Sequence, residues 1–338
     1  MLNSKLICTE GIPGSGKSST AQYLSRMLDQ LGYPNKWWYE EVVGHPAYVF
    51  RDAVSAIGIV NDLRNGNYRD VIAKALKRWE QFAAYVDCSD EIILIDGCLF
   101  GYLTWSLFPN NVPEAEIATY LKAVEAIIKR LNPCLIYLYQ DDVDAALRKI
   151  VSRRGGEAEK FMIARASESL YGKSHHLIGF EGVITYWKQY RKVMDNLYGQ
   201  LQIAKLKIEN QNGDWPTYYS QMKKFIGIES ASEIALTTLD LQLYEGSYSY
   251  TDENHHECNC TVQLESGQLV VDGLPQVWTK TELLPNPEGT FDVASLPFKV
   301  QFLMNPVDNK MQLHLSGPVL LDGKADCVAT KMGCGAMN

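Results

Sequence analysis

No stretch of the 338-residue chain approaches the roughly 20 consecutive apolar residues that a membrane-spanning helix requires; Ile92 to Ile95 typifies its apolar runs. Met1-Leu2-Asn3-Ser4-Lys5 leads straight into a strand pattern and not into the apolar core of a signal peptide, so a soluble, cytoplasmic protein with no membrane role is expected. An excess of basic charge is also missing. Lys and Arg number 32 against 40 Asp and Glu, a formal charge of −8, which argues against a broad grip on nucleic acid or anionic lipid. Cysteine is scarce: 8 residues are too few for a disulfide scaffold, and reduced thiols packed as small hydrophobes are expected. With 25 Gly and 13 Pro the chain is neither collagen-like nor disordered, and no repeat of fixed period is visible.

What is present is length for about two domains. Apolar runs of strand length, Leu6 to Glu10, Lys36 to Glu41, Ile92 to Asp96, Cys134 to Tyr139 and Ile203 to Ile208, alternate with helical patterns at Lys17 to Leu31, Tyr68 to Val86, Glu114 to Leu131, Val143 to Arg154 and Gly179 to Tyr198. That rhythm predicts a parallel sheet with crossover helices, because parallel neighbours cannot be joined by a tight turn. Asp214 and Pro216 open a last helix as N-cap and first-turn residue. This α/β domain is expected over 1–228 and a linker over 229–244. Over 245–330, short alternating runs punctuated by Ser266-Gly267, Asp272-Gly273, Glu288-Gly289 and Asp322-Gly323 predict an antiparallel β-barrel or sandwich. Residues 331–338 are read as a tail.

Gly11-Ile12-Pro13-Gly14-Ser15-Gly16-Lys17-Ser18 fits G-x-x-x-x-G-K-[ST] directly after a strand and directly before an amphipathic helix. Glycines let such a loop fold back so that successive N–H groups face inward, and the helix adds the positive end of its dipole. Gly11, Pro13, Gly14, Ser15, Gly16, Lys17, Ser18 and Ser19 are therefore the candidate triphosphate-binding residues. Lys17 reaches the β and γ phosphates and Ser18 is placed for Mg²⁺. Asp96 ends a strand at the same sheet edge and is the candidate second metal partner.

Glu40 and Glu41 end the second strand, where one carboxylate can take the proton of an attacking hydroxyl; Glu40 is the first choice and Glu41 the alternative. Arg148, Arg153 and Arg154 precede Gly155-Gly156 and suit a movable lid that bonds phosphates, although basic residues also complement a helix C-terminus. Trp38, within the triplet Trp37-Trp38-Tyr39, offers a ring to the acceptor or to the core, and His45 before Pro46 is a ligand or a turn residue. His255, His256, Cys258 and Cys260 are four potential metal ligands, but their spacing is not a standard zinc pattern.

With Thr9-Glu10-Gly11, Asp96, the Arg148 to Gly156 segment and Gly213-Asp214-Trp215 each following a strand, residues 1–228 resemble the thymidylate kinase and deoxynucleoside kinase branch of P-loop kinases. The resemblance implies a three-layer αβα fold with a five-stranded sheet ordered 2-3-1-4-5, ATP as donor, Mg²⁺, an arginine lid, and an acceptor site under the second and third strand edges, with Glu10 on its acceptor side. Glu40 or Glu41 matches the catalytic carboxylate of deoxynucleoside kinases. Where that branch carries an acidic residue followed by arginine, this chain reads Asp96-Gly97-Cys98, so the acceptor class widens to a nucleoside-like, sugar-like or natural-product hydroxyl. The expected activity is that of a small-molecule phosphotransferase. A nucleotide-dependent switch whose β domain binds a partner is the alternative; against it, Asn309-Lys310 continues as Met311-Gln312 and not as a guanine-reading motif. Three uses fit the β domain: completing the acceptor pocket, holding a homodimer together, or docking a partner. Its Gly246-Ser247-Tyr248 and Leu313-to-Pro318 segments resemble the small lipocalin-like domains appended to some serine hydrolases.

Overall fold

The computed structural model describes residues 3–229 and 240–332. Most of the expected linker, and all but the first two residues of the expected tail, lie outside the described residues. The chain divides into two compact units, Met1–Ser232 and Glu233–Asn338.

The first unit runs β1 (Leu6–Glu10), α1 (Lys17–Gln30), β2 (Asn35–Trp38), α2 (Ala53–Arg64), α3 (Tyr68–Cys88), β3 (Ile92–Asp96), α4 (Leu103–Leu107), α5 (Glu114–Ile128), β4 (Cys134–Tyr139), α6 (Val143–Arg154), α7 (Gly156–Ser167), α8 (Leu170–Ser174), α9 (Gly179–Gln200), β5 (Ala204–Glu209) and α10 (Trp215–Ile226). Its strands pair in parallel in the order β2-β3-β1-β4-β5. Every residue of β1 and β3 is buried, because helices cover both sheet faces; this is why these strands read as continuous apolar runs. Helix α3 buries Val71, Ala75, Trp79, Phe82 and Val86, one stripe at three- and four-residue spacing. The buried Trp79 Nε1 donates to the Tyr120 hydroxyl of α5 at 2.9 Å, so the ring meets the core without stranding its N–H. Asp214 caps α10 by accepting from the Thr217 amide, with Pro216 in the first turn.

Three local expectations are corrected. Strand β2 stops at Trp38, not Glu41, because successive turns begin there: the Val42 amide donates to the Tyr39 carbonyl at 3.1 Å and the His45 amide to the Val42 carbonyl at 3.2 Å. Glu40 and Glu41 therefore lie in a turn, and strand alternation does not choose between them. Helices α2 and α7 escaped the periodicity reading because α2 buries only Leu63 and α7 only Ala166, too little to mark an apolar stripe. Strand β5 is displaced by one residue from the expected run.

In the second unit, β6 (Gly246–Thr251), β7 (Glu257–Glu265), β8 (Gln268–Asp272), β9 (Thr281–Pro285), β10 (Thr290–Val293), β11 (Lys299–Met304), β12 (Met311–Ser316) and β13 (Cys327–Lys331) each pair antiparallel with the next, and β13 pairs with β6. The result is a closed up-and-down barrel and not a sandwich, extending to Lys331. Tyr248, Val262, Leu269, Leu283, Phe291, Val300, Leu313 and Ala329, one from each strand, fill its interior. Ser266 and Gly267 both take positive φ, 51° and 84°, which is the two-residue turn a tight β7–β8 hairpin favours.

Candidate functional site

The glycine-rich segment forms the turn between β1 and α1. Gly16 is the N-cap of α1 at φ 89°, ψ 20°, a left-handed conformation costly for other residues, and a Cβ there would overlap the Trp215 ring. The loop is pinned from three sides. The Ser15 amide donates to the Ile12 carbonyl at 3.1 Å, Asn210 Nδ2 to the Ser15 carbonyl at 2.5 Å, and Thr9 Oγ1 to the Lys17 carbonyl at 3.1 Å. The first bond of the α1 ladder runs from the Thr20 amide to the Gly16 carbonyl at 2.9 Å. The Lys17 and Ser18 amides precede it and are not used by the helix, while the buried Ser15 hydroxyl has no hydrogen-bond partner. These are donors suited to an anion.

Charged groups gather at the mouth of this loop. Lys17 Nζ lies 3.6 Å from Glu40 Oε1. Ser18 Oγ donates to Asp96 Oδ2 at 2.5 Å, and Asp96 Oδ1 accepts from both Trp37 Nε1 and the Glu40 amide at 3.1 Å. Burial, reinforced by the Glu40 charge, pushes the Asp96 carboxyl up to about 7, although Ser18, Lys17 and Trp37 pull it down. Glu10, fully buried, is pushed up to about 8 by burial; its Oε1 accepts from the Leu99 amide at 2.6 Å and its Oε2 has no hydrogen-bond partner. For Lys17, burial lowers the pKa, but the Glu40, Asp96 and Glu10 carboxylates outweigh it and raise the ammonium above its usual range. The lysine stays charged. Gly97 follows Asp96 at φ 64°, and the Glu40 carboxylate packs directly over it and over Gly101 of the π-helical turn at Cys98–Tyr102.

Of the residues singled out from sequence, Lys17, Ser18, Asp96, Glu40 and Glu10 thus come together. Arg154, exposed at the end of α6, stands close enough for its positive charge to oppose the Lys17 ammonium, and Ile150, one turn earlier, packs against Gly14 of the loop. Glu41 lies beside the Tyr39 hydroxyl at 3.5 Å. Arg148 is turned elsewhere, bonded to Asp144 at 2.6 Å and Glu181 at 3.0 Å over the Phe180 ring. Arg153 is exposed in the last turn of α6. His45 is buried, stacked on Tyr48 at 4.1 Å and edge-on to Trp38 at 5.7 Å; burial lowers its pKa to about 3, so it is neutral. Trp38 carries Lys36 on its ring at 4.1 Å. Among the described residues no cluster of three or more His, Cys, Asp or Glu is arranged to hold a metal: His256 pairs with Asp252, and Cys260 is buried in the barrel. The seven cysteines among the described residues are free thiols, and no described helix is long and apolar enough to cross a membrane.

Sequence reasoning did not find Trp37, Asn210 or Cys98. Trp37 and Asn210 act through single hydrogen bonds to Asp96 and Ser15 across 59 and 195 residues, which leave no local pattern. Cys98 has its sulfur 3.5 Å from His45 Nε2 and 3.5 Å from the Tyr48 hydroxyl, and its thiol is pushed up by burial.

A parallel sheet in this order, with a glycine loop between its first strand and first helix, is a P-loop NTPase fold. No protein-family model matches the chain, and no curated protein matches it. Among solved structures, the YorR protein of Bacillus subtilis, crystallised in complex with phosphorylated GDP, aligns over 68% of this chain and 99% of its own, at 16% identity and a TM-score of 0.36.

Proposed function

We propose that the first unit is an ATP-dependent kinase, of the thymidylate kinase and deoxynucleoside kinase branch, that transfers the γ-phosphoryl group to a hydroxyl of a small molecule. The observation that carries this reading is the grouping of Lys17, Ser18, Asp96 and Glu40 around one loop mouth, with Lys17 Nζ 3.6 Å from Glu40 and Ser18 Oγ 2.5 Å from Asp96. The loop amides and Lys17 bind the triphosphate, and Lys17 trades its contact with Glu40 for the β and γ phosphates. Ser18 and Asp96 offer a hydroxyl and a carboxylate oxygen side by side, a donor set that fits Mg²⁺, which when bound neutralises phosphate charge. Glu40, relieved of its lysine, accepts the proton of the acceptor hydroxyl as that oxygen bonds to Pγ. The Pγ–O bond to the β-phosphate breaks and its electron pair leaves with ADP. Arg154 closes over the phosphates and excludes water. Trp37 holds Asp96 in orientation through its N–H.

The test is direct. Purified protein is mixed with ATP, Mg²⁺ and pools of nucleosides, sugars, amino alcohols and natural products, and products are searched for a mass gain of one phosphoryl group. A product that disappears with Lys17→Ala supports the kinase; nucleotide-dependent capture of a protein with no phosphorylated product supports a switch instead.

A further inference from the structure

Between β3 and α4 the chain makes the π-helical turn Cys98–Tyr102, and the first amides of any helical turn have no acceptor within it. Its N-cap is Gly97, left-handed and without a side chain to offer them. Strand β1 supplies the missing acceptors. The Gly97 amide donates to the Thr9 carbonyl at 3.0 Å, and the Leu99 amide donates to Glu10 Oε1 at 2.6 Å across 89 residues of sequence. Glu10 is thus a helix cap provided by another element. A carboxyl with no solvent exposure is costly to bury, so a cap of this kind needs a reason beyond holding one turn. The carbonyl side of the turn is held as well: Thr104 Oγ1 donates to the Leu99 carbonyl at 2.7 Å, and the Tyr190 hydroxyl donates to the Phe100 carbonyl.

The same turn is the seat of the Glu40 carboxylate. That carboxylate packs directly on Gly97, and a Cβ on Gly101 would lie 3.8 Å from Glu40 Oε2; Leu99 stands midway between the two glycines. The turn also holds the segment that follows Glu40. Cys98 Sγ lies 3.5 Å from His45 Nε2, while the Tyr102 hydroxyl accepts from the Val49 amide at 2.5 Å and its ring stacks on Tyr48 at 3.9 Å. We propose that Glu10 is a positioning residue for phosphoryl transfer: by answering the Leu99 amide it fixes the Gly97 to Gly101 seat, and with it the place of the Glu40 carboxylate relative to the attacking hydroxyl. This rests on the reading of Glu40 as the base. A seat displaced by about 1 Å misplaces the carboxylate by a similar amount, which costs on the order of 100-fold in rate. The phosphate loop is pinned by other bonds, from Asn210 to the Ser15 carbonyl and from Thr9 to the Lys17 carbonyl. Loss of the cap should therefore lower kcat and leave ATP affinity in place.

The test compares the full-length wild type with Glu10→Leu, which fills a similar volume without an oxygen, and Glu10→Gln, which keeps an oxygen for the Leu99 amide. Val124→Ala, a cavity in the buried face of α5, is the control for lost stability alone. Steady-state transfer and calorimetry with Mg²⁺ and ATP are read on all four. The expected result is kcat lowered about 30-fold or more by Glu10→Leu and less than about fivefold by Glu10→Gln, with ATP dissociation constants within about twofold and kcat unchanged in Val124→Ala. A Glu10→Leu kcat within about threefold of wild type, equal losses in the two Glu10 variants, or a change confined to the acceptor KM overturns the proposal. Should Glu10→Leu fail to fold, Tyr190→Phe and Thr104→Val each delete one hydroxyl that holds the same turn: kcat about three- to tenfold lower at unchanged ATP affinity supports the proposal, and unchanged kcat in both overturns it. Hydrogen exchange without nucleotide or acceptor reads the clamp by itself, with the Leu99 amide expected to exchange about tenfold faster or more in Glu10→Leu and near the wild-type rate in Glu10→Gln. Equal exchange in the three proteins overturns the clamp whatever the activity. If wild type phosphorylates no acceptor, the kinase reading fails and the positioning role falls with it, and faster exchange in Glu10→Leu then marks Glu10 as a structural cap only.

Discussion

Gly97→Ala separates the placement of Glu40 from the stability of the fold. The new Cβ would overlap Glu40 Oε2 and lie 3.0 Å from its Cδ and 3.1 Å from Lys17 Cε, so the carboxylate must retreat until carbon contacts reach about 3.5 Å. The shift is at least about 0.5 Å for Cδ and larger for the overlapped oxygen. Alanine at φ 64° adds left-handed strain of about 1–2 kcal/mol, which lowers the melting temperature by only a few degrees in a unit of this size. Misplacing a reacting group by about 1 Å costs on the order of 100-fold in rate. The control is Gly32→Ala, which carries the same kind of strain at φ 73° but meets nothing within 4 Å. Circular dichroism melts and steady-state phosphoryl transfer on both variants decide the matter. The expected outcome is similar small losses in melting temperature, with kcat lowered about 100-fold in Gly97→Ala alone. Equal kcat in the two variants would refute the placement of Glu40 as the base.

Four further outcomes are expected. Glu40→Gln lowers kcat by about 100-fold or more while Glu41→Gln stays within about threefold, read from pre-steady-state transfer. Arg154→Ala lowers kcat by about 100-fold and Arg148→Ala changes it little, since Arg148 is already occupied by Asp144 and Glu181. Glu10, whose buried carboxyl is raised from 4.5 to about 8, binds a proton in the folded state that the unfolded chain has released. Its contribution to stability is therefore full below pH 4.5 and is lost as pH rises through about 8. Denaturant melts across this range should show Glu10→Gln, which keeps an oxygen for the Leu99 amide, with a flatter pH profile and a gain over wild type at pH 9. Trp37→Phe removes one donor from Asp96 and should raise the pKa of that carboxyl further, shifting the acid limb of the kcat/KM profile upward by less than about one unit, with a loss of about 1 kcal/mol in stability.

Much of this architecture is written locally. The bounds of β1, β3 and β4 are those of the runs read from sequence, because strands buried on both faces show as near-continuous apolar stretches. The glycine-rich loop and the barrel turns are equally legible, since their glycines answer backbone conformations that few other residues adopt. What stayed hidden depends on tertiary contacts. The end of β2 is decided by turns and not by aromatic content, so the choice between Glu40 and Glu41 comes from Gly97 and Lys17, far along the chain, and not from strand parity. Arg148 and Arg154 look alike in sequence and both are exposed; only tertiary contacts pair the first with Glu181 and bring the charge of the second within reach of Lys17. Trp37, the nearest ring to Asp96, was obscured by its neighbours in an aromatic triplet.

The most direct measurement is calorimetric titration of the full chain with ATP in the presence of Mg²⁺, set against Lys17→Ala. Saturable binding to wild type, weakened by about 10- to 100-fold or more in the variant, is the predicted result, since a charge-assisted contact to phosphate is worth about 1.5–3 kcal/mol. No heat of binding to wild type, or equal affinity in the two proteins, would contradict triphosphate recognition by the loop and with it the transfer chemistry built around Glu40.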